Sequence, residues 1–129
     1  MIPYVYDYHQ EADILEVFFA DEEATAAVHL TPDIILHFRV EDSQATSLIF
    51  NNFSHLTQPD EYGPRAFRLE VKRWPESLRD VVWHILARPP VSEWLAVSSY
   101  RPPRVHRAIP LAAVHPVSIP ATSKERAWV

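Results

Sequence analysis

The sequence predicts an α+β fold: an antiparallel β-meander of four to five strands, then an amphipathic helix and short C-terminal strands. Three observations predict it. The opening run Tyr6-Asp7-Tyr8-His9-Gln10-Glu11-Ala12-Asp13-Ile14-Leu15 sets a polar turn between two apolar segments, the pattern of a β-hairpin. Ile34, Leu36, Phe38 and Val40 alternate with Ile35, His37 and Arg39, the two-residue period of a strand with one face buried. Leu78, Val81, Val82, Ile85 and Leu86 recur at helical spacing and form one apolar stripe.

The elements follow in order. Ile2 to Tyr8 is rich in Tyr and Val and reads as a strand. His9 to Ala12 is the turn. Asp13 to Ala20 is a second strand, with Leu15, Val17 and Phe19 on one face and Ile14 and Phe18 on the other. Asp21-Glu22-Glu23 is a solvated turn. Thr25 to Leu30 is a third strand, broken by Thr31-Pro32-Asp33. Ile34 to Val40 is a fourth, Glu41 to Gln44 a turn, and Ser47 to Phe53 a fifth strand. Ser54 to Pro64 is polar, contains Pro59 and Gly63, and reads as a linker. Phe67, Leu69 and Val71 alternate with Arg68, Glu70 and Lys72, so this piece reads as extended.

Pro75 to Ala87 reads as the helix. Pro75 suits its first turn, Glu76 and Asp80 its electropositive end, and Pro89-Pro90 stops it. Val91 to Ala96 reads as a short helix with Ser92 as cap and Trp94 and Leu95 buried. Val97 to Tyr100 reads as extended. Arg107 to Ile119 holds short apolar pieces punctuated by proline. The expected organisation is one domain, 1–129. Residues 1–56 are the meander, 65–120 a helix-containing extension packed on it, and 121–129 a loose tail.

Composition narrows the chemistry. The 129 residues include one Gly and no Cys. Thiolate chemistry, disulfides and Cys-based metal sites are excluded. Gly-rich phosphate loops need several glycines so that backbone can approach phosphate, so a P-loop and a dinucleotide fingerprint are excluded too. No cofactor is implied. No apolar run reaches the ~20 residues of a membrane helix. With no basic-then-apolar leader, the expectation is a soluble cytoplasmic protein without membrane contact.

Charge is split along the chain. Residues 1–60 hold eleven acidic side chains and one basic one, Arg39; residues 61–129 hold eleven basic and six acidic. Either the halves attract each other, within the chain or across a dimer, or the basic half meets an acidic partner such as nucleic acid.

Three constellations are candidate sites. Asp7, Glu11 and Asp13 bracket the first turn. They read as a carboxylate cluster for a hard cation or acid–base pair, or as turn residues accepting backbone N–H groups. The turn reading is favoured, because no oxygen-rich loop of cation-site type accompanies them. His29, Asp33 and His37 are four apart. On an unbroken strand they share a face but lie about 13 Å apart, so a shared metal needs the chain to bend at Thr31-Pro32. Arg101, Arg104 and Arg107, with Tyr100, form the most basic stretch; they suit phosphates and stacked bases, or carboxylates in an oligomer interface. His84 borders the helix stripe. Ser98-Ser99 has no flanking glycine and so forms no nucleophile elbow. Trp74, Trp83, Trp94 and Trp128 read as core and interface anchors.

Tyr6-Asp7, Glu11-Ala12-Asp13-Ile14-Leu15, Asp33-Ile34-Ile35 and Ile49-Phe50-Asn51-Asn52-Phe53-Ser54 follow one another within residues 4–56, about two-fifths of the chain. In the order and spacing of these motifs the segment resembles the small bacterial family called domain of unknown function 2283. The chain departs from the family in lacking glycine before residue 63 and in its long extension. The resemblance implies a β-meander α+β fold, no established activity, and a binding or neutralising role beside toxin-like genes. Three functions are therefore carried forward. The leading one is a non-enzymatic protein-interaction module acting as a homodimer. The others are a nucleic-acid-binding or toxin–antitoxin-type regulator and a small metal-dependent hydrolase.

Overall fold

Period-2 burial builds the first half. The structure, a computed structural model, describes residues 5–58, 65–101, 103–104 and 108–114. β1 (Val5–His9) and β2 (Ile14–Phe18) form the first hairpin. β3 (Ala26–Thr31), β4 (Ile34–Arg39) and β5 (Gln44–Phe50) follow as three consecutive antiparallel strands. The spatial order is β1-β2-β5-β4-β3. The chain leaves β2, crosses to the far edge, and returns strand by strand until β5 lies beside β2.

Register explains why this order is stable. Leu15 faces Phe50, and Phe50 faces Ile34 on its other side. Val17 faces Leu48, Leu48 faces Leu36, and Leu36 faces Val28. All seven are buried, so one apolar row runs across three strands and the other across four. A one-residue slip of any strand would turn its row to the other face.

The second half covers this inner face. α1 (Phe53–Thr57), β6 (Ala66–Arg68), α2 (Arg79–Leu86), β7 (Leu95–Tyr100) and β8 (Ile109–Val114) follow, with 3₁₀ turns at Val71–Arg73, Glu76–Leu78 and Val91–Glu93. β6, β8 and β7 form a second antiparallel sheet in that order. One apolar cluster joins the halves: Leu15, Leu36 and Phe50 from the first sheet, Trp74, Val82, Ile85 and Leu86 from the connection and α2, Leu95 and Val114 from the second sheet. Among the described residues no helix is long and apolar enough to cross a membrane.

Several boundaries differ from the sequence reading, each for a local reason. The fifth strand ends at Phe50 rather than Phe53, because Asn52 takes a left-handed conformation (φ 52°) and starts α1. Part of the expected linker is therefore helical. The main helix begins at Arg79; Glu76–Leu78, behind Pro75, is a 3₁₀ turn. The expected short helix at Val91–Ala96 is a 3₁₀ turn of three residues, and Leu95 already belongs to β7. The extended reading of residues 67–72 holds only to Arg68, where β6 ends. The tail at residues 121–129 lies outside the described residues.

The connection between the sheets also protects an edge. β3 is the outer strand of the first sheet, and a register shift lies between His29 and Thr31. The Glu70 N–H donates to the Leu30 carbonyl at 2.8 Å, and the Trp74 indole N–H donates to the His29 carbonyl at 2.8 Å. Trp74 is 2% exposed and stacks edge-on against Trp83 at 5.3 Å between centroids. Its indole thus fills the core and satisfies an edge carbonyl together. Trp74→Phe keeps an aromatic ring but removes the donor. It should destabilise the fold by about 1–3 kcal/mol in chemical denaturation, whereas Trp83→Phe, at a half-exposed ring, should cost less.

Candidate functional site

The most connected polar group described is the Asp13 carboxylate. Asp13 closes the β1–β2 turn, with its N–H bonded to the Gln10 carbonyl at 3.3 Å and φ at 56°. Aspartate tolerates this left-handed geometry better than most residues. The Ser54 hydroxyl donates to Oδ2 at 2.6 Å, the Tyr8 hydroxyl to Oδ1 at 2.8 Å, and the Ser54 N–H to both oxygens at 3.1 and 3.2 Å. The Asp13 carbonyl accepts the Phe53 N–H at 2.9 Å. A residue from the first hairpin therefore satisfies the first backbone donors of α1, which would otherwise be orphaned.

A second link reinforces the first. Asn52 Nδ2 donates to Asp33 Oδ1 at 3.1 Å, and the Asn51 N–H donates to the Asp33 carbonyl at 2.8 Å. The Asp33 N–H in turn donates to Thr31 Oγ1 at 3.2 Å. The β1–β2 turn, the β3–β4 turn and the end of β5 are tied together at one end of the sheet. Phe53 sits beneath, edge-on to Tyr8 at 5.8 Å and to Phe50 at 5.9 Å.

Electrostatics follow from these bonds. Burial pushes the Asp13 pKa up, but the hydrogen bonds from the Ser54 hydroxyl, Tyr8 and the Ser54 N–H outweigh it, and the carboxyl lies below its ordinary value. Tyr8 moves the other way: its hydrogen bond to Asp13, then burial, then the carboxylate's charge all raise the phenol pKa. Both Asp13 oxygens are engaged, which suits a fastening role better than proton transfer.

The other sequence candidates disperse. Glu11 is exposed, and Asp7 is half-buried on β1 opposite Glu16. Asp33 is held by Asn52. His29 lies opposite Ile35, and His37 lies opposite Ala27 with its Nδ1 at 3.2 Å from the Ser47 hydroxyl. Among the described residues no group of three or more His, Asp or Glu stands close enough to hold a metal ion. Arg101 and Arg104 are exposed between β7 and β8; Arg107 lies outside the described residues.

Two surfaces emerge that sequence reading missed, because both need the strand order. The first is the outer face of the five-stranded sheet. Ile49 sits between Glu16 and Ile35, and Ser47 sits between Phe18 and His37. Ile14, Phe18, Ile35 and Ile49 are half-buried, yet none belongs to the core cluster or packs against it. The second is a groove of about 820 Å³ with Trp83, Leu69, Val71 and Ile109 in its wall and Arg68, Lys72 and Arg73 at its rim. Arg73 pairs with Glu70 there at 3.7 Å.

No protein-family model, curated protein or solved structure matches this chain.

Because folding lowers the Asp13 pKa, its contribution to stability is complete above the unfolded value of about 3.9 and fades as pH falls through the lower folded value. Wild-type stability should therefore drop as pH falls below about 4, and Asp13→Asn should flatten part of that drop. At neutral pH, Asp13→Ala should cost about 1–2 kcal/mol in urea unfolding.

Proposed function

We propose that this chain is a non-enzymatic protein-interaction module that works as a homo-oligomer in the cytoplasm. The observation that carries the interaction-module reading is the outer sheet face. Four large apolar side chains, Ile14, Phe18, Ile35 and Ile49, lie on it outside the chain's own core. Polar groups are interleaved with them: Glu16 lies between Ile14 and Phe18 along β2 and opposite Ile49, buried Ser47 lies opposite Phe18, and His29 and His37 lie toward the β3 side. Large apolar side chains left outside the core on a mixed sheet face suit a surface that a protein partner covers. The charge split supports the same reading, since one chain's acidic half attracts the basic half of another. The resemblance of residues 4–56 to domain of unknown function 2283 agrees with a binding role.

Light scattering after size exclusion should find an assembly of at least twice the 14.9 kDa chain mass. A monomer at every concentration would overturn the homo-oligomeric reading. The surface has its own check in denaturation. Ile49→Lys should change stability by no more than about 0.5 kcal/mol, whereas Leu48→Ala, its inward neighbour, should cost about 2–5 kcal/mol. Comparable losses at both positions would mean that the chain buries this face itself.

A further inference from the structure

Each of the two sheets has two edges, and the chain treats the four differently. β1 carries Asp7, a charge of the kind that discourages edge pairing. β3 has its His29 and Leu30 carbonyls engaged by Trp74 and Glu70. β6 is three residues long and bears Arg68. β7 has none of these protections among the described residues. Leu95-Ala96-Val97-Ser98-Ser99-Tyr100 holds no charge and no proline. Every residue after Leu95 is exposed, and Val97 at 37% and Tyr100 at 52% are the exposed large hydrophobics of the described chain.

The ladder shows which groups face outward. Pro110 lies opposite Ser99, and its carbonyl accepts the Leu69 N–H beyond the end of β6. In an antiparallel ladder one residue's N–H and C=O point to the same side, and the side alternates along the strand. Pro110 therefore points toward β6, and Ser99 turns its backbone groups away from β8. By alternation Val97 and Leu95 do the same, while Ala96, Ser98 and Tyr100 bond to β8.

We propose that β7 pairs antiparallel with β7 of a second copy, across a twofold axis at Val97, so that two three-stranded sheets become one of six. The proposal rests on the homo-oligomeric reading and names its contact. This register is the one in which Leu95, Val97 and Ser99 of each strand all find partners: Val97 faces Val97 of the second copy, and Leu95 faces Ser99. A twofold axis brings symmetry-related side chains close together, so a charged edge strand risks setting like charges opposite each other. β7 has no charge and meets no such penalty. Val97 also borders a shallow cavity of about 330 Å³ with Trp83, Leu86 and Ala87, which the second copy's valine would help close. The outer face of the larger sheet then stays open for a different protein.

The absence of cysteine makes the test clean. On the twofold axis the Val97 Cα atoms stand about 5.5 Å apart, within disulfide range. Val97→Cys should give a cross-linked dimer on mild oxidation, and Glu11→Cys should not. Val97→Lys should stay folded by circular dichroism and raise the dimer dissociation constant on the order of tenfold or more. Ile49→Lys should leave the dimer intact. A wild-type dimer that neither cross-links through Val97→Cys nor weakens with Val97→Lys overturns this contact and leaves the homo-oligomeric reading standing. A wild-type monomer overturns both. A freely reacting Val97→Cys thiol would then mark an open edge, and a shielded one an edge filled by another segment of this chain.

Discussion

The Asp13 carboxylate holds the point at which the chain leaves its first sheet. β5 ends at Phe50, and three residues later Phe53 must enter the core. Asn51 and Asn52 make the bend, but the Asn52 side chain does not cap α1. Its donors are met instead by Asp13 across the sheet end. With that anchor α1 lies flat, Phe53 and Leu56 are buried, and the chain is directed over the inner face. Everything C-terminal to it depends on this redirection: Trp74, α2 and the second sheet all pack on the side to which α1 turns the chain.

The two halves also divide the problem of unpaired backbone. Inward-facing rows make the first sheet stable, but open sheets leave edges. The segment from Leu69 to Trp74 serves both needs at β3. It returns polar bonds to Leu30 and His29 while placing an indole in the core. Polar satisfaction and apolar burial come from the same few residues. β7 receives no comparable cover from the described chain.

Local periodicity made most of the fold legible. Ile34 to Arg39 alternates in sequence as it does in burial, and Val82, Ile85 and Leu86 lie on the stripe that α2 buries. The spatial order of the strands was not legible, because no short-range pattern says that β5 lies between β2 and β4. Boundaries failed where polar groups far apart in sequence decide them. Asp13 was visible as a turn residue, but its partner Ser54 is forty-one positions away. Asn52 stops the fifth strand through a left-handed backbone that nothing in Asn51-Asn52-Phe53 demands. The outer-face patch and the β7 edge were hidden for a related reason: exposure depends on what the chain places elsewhere.

The position of β5 has a kinetic consequence. The last strand of the first sheet to be synthesised lies at its centre, paired to β2 on one side and β4 on the other. The β1–β2 and β3–β4 hairpins close over short distances and form early. β5 follows β4 through an equally short turn and pairs with it locally, so the two parts of the sheet join only when β5 docks on β2. That docking closes the longest loop within the sheet, and loop closure before contacts form raises a folding barrier. Until it occurs, the nascent chain presents two half-sheets whose inner rows are open, and the time spent in that state sets its exposure to aggregation.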